Sequence, residues 1–108
     1  MATEREQTIE ATIIARKIMG ARMKYLRIEK GITYAQMQRN SILSPGQIAA
    51  IESGSTSYTV DSLLQYLVAA DLSFPLDLPI HKYLDYTIQG YSVEDAIAQV
   101  EKDEGADR

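Results

Sequence analysis

Between Gly31 and Gly54 the chain reads GITYAQMQRNSILSPGQIAAIESG. The apolar positions Ile32, Met37, Leu43, Ile48 and Ile51 recur at the spacing of two short amphipathic helices around a tight connection. Thr33 can cap the first and Ser44 the second, each offering a side-chain oxygen to backbone N–H groups that lack a helical partner. Pro45 follows Ser44, where its fixed φ and missing N–H suit a first helical residue. Gly31 and Gly54 bracket the stretch as helix stops. A chain that must bury both short helices needs further helices to cover them.

The flanks supply these. Residues 4–29 read as helix behind Thr3 and Glu6, a capping-box pair. Ile9, Ile13 and Ile14 form one apolar cluster and Met19, Met23 and Leu26 another, with Gly20 as a candidate break between two helices. Thr59 can cap a helix with an apolar face of Leu63, Leu64, Leu67 and Val68. Phe74 to Pro79 reads as an extended connection, because each proline disfavours helix in the residue before it. Two more helices are expected over IHKYLDYTIQ and from Ser92, with a fraying charged tail from Lys102. No segment alternates as a strand would, so the fold class is all-α.

The chain has 108 residues, enough for a single domain with one modest core, and 45% are hydrophobic, which excludes a disordered composition. It contains no cysteine, so disulfides and thiolate metal sites are excluded. No apolar run approaches the roughly 20 residues that span a bilayer, and MATEREQTIE has no signal-peptide core. A cytoplasmic protein without membrane contact is the expectation. Catalysis has little support: His81 is the sole histidine, and no phosphate-cradling loop, nucleophile elbow or metal-ligand spacing occurs. No cofactor or metal is expected, and the protein reads as a non-enzyme.

Charge divides the chain. The first 39 residues hold eight Lys or Arg against four Glu, whereas the rest hold three against eleven Asp or Glu. One face that tolerates phosphates and another that repels them would give this asymmetry; solvated helix surfaces with uneven drift would give it too.

Four pieces stand out in order along the chain: Leu26-Arg27, Gly31-Ile32-Thr33, Ile51-Glu52-Ser53-Gly54, and Thr59 leading to Leu63-Leu64. Together, over residues 19–72, they resemble the phage-repressor-like helix-turn-helix family, the Cro/Xre type, at whose spacing all of them fall without a gap. The resemblance implies a compact, lambda-repressor-like helix bundle that binds double-stranded DNA, usually as a homodimer, with its third helix in the major groove. It also implies an internal ion pair between Arg27 and Glu52. Residues 1–18 are then an N-terminal helical extension and 79–101 a C-terminal helix pair.

On that reading Gln47 makes the one bidentate base contact, preferring adenine, while Ser44 and Ser53 add hydrogen bonds and Ala49 and Ala50 offer apolar contact. Arg22, Lys24, Lys30 and Arg39 hold phosphates, helped by Tyr34, which stands where the family places a phosphate-binding Gln. Ile42 occupies the family's turn glycine, a costly replacement wherever positive φ is needed. The N-terminal extension and the C-terminal pair, with Tyr83, Tyr86, Tyr91, Leu84, Ile88, Val93 and Ile97, are candidate dimerisation elements, the alternative being that they cover the monomer's own core. A third helix without Lys or Arg also admits a different function: a protein-interaction module, antitoxin-like or anti-repressor, on the same scaffold.

Overall fold

A computed structural model describes residues 3–74 and 78–106, and within them the chain forms six α-helices and no strand. They are α1 (Glu4–Glu29), α2 (Tyr34–Arg39), α3 (Pro45–Ser53), α4 (Val60–Ala69), α5 (Ile80–Ile88) and α6 (Val93–Ala106). Thr3, Thr33, Ser44 and Thr59 each cap a helix by accepting a backbone N–H three residues on. Ser92 does the same for Asp95. Gly31 and Gly54 end α1 and α3 with φ of +74° and +62°, conformations that cost glycine little. In the connection expected to be extended, Pro75, Leu76 and Asp77 lie outside the described residues.

α1 is the spine. Met23, Met37, Leu43, Ile48, Ile51, Leu63, Tyr66 and Leu67 are buried in a first core that α1 shares with α2, α3 and α4. Ile18, Tyr83 and Val100 form a second, with Ile14, Leu84, Tyr86, Val93 and Ile97 packed around them. The C-terminal pair therefore covers the monomer's own core with most of the residues weighed for an interface, while Ile88 stays 80% exposed. Between the two cores a cleft of about 730 Å³ is lined by Met23, Leu26, Leu72, Phe74, Tyr83 and Val100 among others.

Three expectations are corrected, and the condition attached to Ile42 does not arise. Gly20 does not break α1: the helix runs through it, and a Cβ there would sit 2.4 Å from the Ile51 carbonyl oxygen and 2.5 Å from that of Glu52. This glycine serves close approach of α3. Leu64 and Val68 do not join Leu63 and Leu67 in the core; they are exposed, and Tyr66 and Ala69 are buried instead. Ile42 needs no positive φ, since Asp71 is the only such non-glycine residue among those described. The turn is held by Ser41, whose Oγ donates to the Met37 carbonyl at 2.8 Å and accepts from the Leu43 N–H at 3.2 Å. Lastly, the tail past Lys102 stays helical to Ala106. No helix among the described residues is long and apolar enough to cross a membrane.

Candidate nucleic-acid interface

α3 is short, and a helix of nine residues is marginal on its own propensity. Its ends are therefore heavily determined. Ser44 Oγ accepts from the Gln47 N–H at 3.1 Å, and Gln47 Oε1 accepts from the Ser44 N–H at 2.8 Å, a complete capping box. α2 starts with the same device, Thr33 pairing with Gln36. At the far end, a Cβ on Gly54 would lie 2.6 Å from the Lys17 Cα, and Arg16 Nε donates to the Gly54 carbonyl at 2.9 Å. α3 therefore rests its C-terminus directly on α1.

What fixes α3 among all its neighbours is Glu52, only 4% exposed. Its carboxylate accepts from Arg27 of α1 (Nε to Oε2 at 2.6 Å), from Tyr34 of α2 (hydroxyl to Oε1 at 2.9 Å) and from Tyr66 of α4 (hydroxyl to Oε2 at 2.5 Å). Arg27 also donates to the Ile32 carbonyl at 2.7 Å and stacks 4.8 Å from the Tyr34 ring centroid. Among the described residues no buried side-chain N or O lacks a partner. Burial and the hydrogen bond to Glu52 both push the Tyr66 and Tyr34 hydroxyls above the usual phenol range, so both remain donors. A buried carboxylate with this many donors holds four helices in one arrangement, although burying it adds little net stability.

The expected Arg27–Glu52 pair is present, but Tyr34 is corrected: its hydroxyl points inward to Glu52 and does not stand ready for phosphate. Tyr66, the fourth member of the cluster, is not singled out by the sequence pattern. Its signal was a phenol among the apolar positions of α4, a ring that fits a core and carries a polar tip needing a partner.

The basic residues are not gathered into one patch. Arg22 pairs with Glu101 of α6, and Lys30 donates to the Asp71 carbonyl beyond α4, with the Asp71 carboxylate at 3.5 Å. Lys24 and Arg39 are exposed and, among the described residues, have no ion-pair partner.

On α3, Gln47 and Ala49 are exposed and Ala50 is half-buried. Ser53 is exposed, its Oγ shared between the Ala50 carbonyl at 3.3 Å and Ser55 Oγ at 2.9 Å. The Gln47 oxygen is held by the cap, which leaves its Nε2 free to donate. Beside it a notch of about 360 Å³ is rimmed by hydroxyls of Ser44, Thr56, Ser57 and Ser62. The surface is polar, uncharged and rich in donors: it can hydrogen-bond phosphate or base edges but supplies no Coulombic attraction of its own. No group of His, Cys, Asp or Glu among the described residues could hold a metal ion. No family model, curated protein or solved structure matches the chain.

Proposed function

We propose that the protein is a sequence-specific DNA-binding regulator in which α2, the turn and α3 act as a helix-turn-helix, two copies binding together. The observation that carries this reading is the Glu52 cluster. It ties α3 to α1, α2 and α4 through side chains on its inner face and leaves Gln47, Ala49 and Ser53 outward. A helix held at fixed angle with one free face is what insertion into a groove about 12 Å wide requires. Gln47 reads a base, with Ser44, Ser53, Ala49 and Ala50 adjoining, while Lys24 and Arg39 are the cations available for phosphates. The resemblance of residues 19–72 to phage-repressor-like proteins supports the same reading.

The test is a mobility-shift assay over a salt series, using duplex DNA flanking the coding sequence. With about two phosphates neutralised per copy, log K should fall with log salt at a slope of about −4 for a pair of copies. Gln47→Ala should relax preference at one base pair by about 1–3 kcal/mol. No shift at low salt would remove the reading.

One observation favours a second function. α3 carries no Lys or Arg, and Arg22 and Lys30 are engaged by carboxylate-bearing partners. A neutral, donor-rich helix face suits another protein as well as a groove, and a stable complex with a protein partner in the absence of DNA affinity would select this module.

A further inference from the structure

Tyr83 of α5 carries a polar group that the fold hides and does not use. The residue is 2% exposed, and its hydroxyl makes no hydrogen bond among the described residues. Tyr66 and Tyr86, by contrast, each donate to a carboxylate. Among the described residues no fully buried side-chain N or O lacks a partner, so the Tyr83 hydroxyl is the part of that side chain that meets open space. The space is the cleft between the two cores, which Tyr83 lines. Burial pushes the phenol pKa up, so the group stays protonated and can both donate and accept.

The cleft follows α1 from Arg22 to Lys30, about 12 Å at a rise of about 1.5 Å per residue. Its apolar walls are incompletely covered: Leu26, Leu72 and Leu78 are half-buried, and Phe74 is 44% exposed. An ion pair stands at each end. Arg22 meets Glu101 of α6, and the charges of both act on the Tyr83 hydroxyl. Lys30 meets Asp71, beyond α4, at 3.5 Å. Glu104 is held by Lys82 at 2.7 Å. Of the charged residues lining the cleft, Glu29 alone has no ion-pair partner among the described residues, and it is exposed.

From these features we infer that the cleft binds a small, uncharged, mainly apolar molecule whose single carbonyl or hydroxyl oxygen hydrogen-bonds Tyr83. A volume of about 730 Å³ suits such a ligand, and small-molecule sites are typically apolar with a few placed polar groups. Water alone satisfies the hydroxyl but leaves the leucines wet, whereas an apolar body with one oxygen serves both. Charge decides against other occupants. A carboxylate or phosphate finds both cations of the lining already paired. An ammonium finds only Glu29, next to Lys30 and away from the Arg22 end where Tyr83 lies. The site is independent of whether α3 reads DNA.

Prodan, an uncharged naphthalene with one ketone and an emission that shifts to the blue out of water, is a suitable probe. Titrated into the full chain, it should bind saturably at one site per chain, with blue-shifted emission and a Kd on the order of 10 μM. Tyr83→Phe should weaken binding about fivefold and leave thermal unfolding unchanged, because the hydroxyl has no partner within the protein. Leu26→Trp, at a half-buried position on the cleft, should fill it and abolish binding with circular dichroism unchanged. Octan-1-ol should displace the probe, and octanoate should need at least about tenfold more to do so. No saturable binding, binding that Tyr83→Phe does not weaken, or octanoate competing as well as octan-1-ol would each overturn the inference. So would a lowered melting temperature in Tyr83→Phe, which would mean that the protein itself bonds the hydroxyl. Binding lost with Leu64→Glu would place the probe on the exposed face of α4 and would equally overturn it.

Discussion

Around Glu52, four helices meet on hydrogen bonds inside the protein; around Ile18, α5 and α6 meet α1 on apolar surface and keep their charges at the rim. In the first region Arg27, Tyr34 and Tyr66 converge on one carboxylate that is almost wholly out of water. In the second, Tyr83 and Val100 bury against Ile18 with no buried charge, and Arg22–Glu101, Lys82–Glu104 and Tyr86–Asp103 lie outside. Hydrogen bonds are directional and apolar contacts are not. Orientation is therefore set at α3, which is fixed by directed bonds, whereas α5 and α6 need only cover the spine.

The largest effect is expected at Glu52. Glu52→Ala leaves Arg27 buried without its counter-charge and two phenols without an acceptor, and should lower unfolding free energy by about 3–5 kcal/mol in urea titration. A loss under 1 kcal/mol would mean the cluster is solvated in solution. Val100→Ala probes the other region. It removes two carbons from a tight apolar site and should cost about 2 kcal/mol. Hydrogen exchange should show α5 and α6 opening before α3, and uniform acceleration through all six helices would show the two regions to be held alike.

Alkaline titration separates the two regions as well. Tyr66 and Tyr34 are held neutral above the ordinary phenol pKa, so above about pH 10 the unfolded chain releases protons that the folded one keeps. Stability contributed by each raised group is complete below that pH and is lost as pH rises through the folded value, at up to about 1.4 kcal/mol per pH unit. Tyr66→Phe should flatten this alkaline slope, and an unchanged slope would exclude Tyr66 as its source. The smallest effect is expected at the rim. Glu101→Gln removes an exposed pair with Arg22 and should cost less than about 1 kcal/mol, vanishing at about 1 M salt. A salt-independent loss would show that the pair is more deeply involved than its exposure suggests.

Most helix positions were legible because capping residues and glycine stops are local signals; Thr33, Ser44, Thr59, Gly31 and Gly54 all act where their types suggest. Where the structure departs from the sequence pattern, tertiary contact is the cause. Gly20 looked like a break because local propensity penalises glycine in a helix, yet it answers to the backbone of α3 lying against it. Leu64 and Val68 looked like core because an apolar run does not say which side faces the bundle; Tyr66 took the inward position and brought a hydroxyl to Glu52. The resemblance implies a phosphate-facing Tyr34, whereas its hydroxyl donates to the buried Glu52 carboxylate. At the candidate interface, charge counts suggested a basic face, but Arg22 and Lys30 find carboxylate-bearing partners far away in sequence, which no local pattern reveals.

The capping box of α3 bears on how much an operator could say. Recognition of adenine through both its edge groups needs the Gln47 oxygen and nitrogen together, and Ser44 already holds the oxygen. If Gln47 reads through Nε2 alone, it donates to N7, which adenine and guanine share. That position then conveys about one bit where a fully specified base conveys two. A regulator built this way would tolerate many near-copies of its site in a genome and would depend on the second half-site to single out the right one.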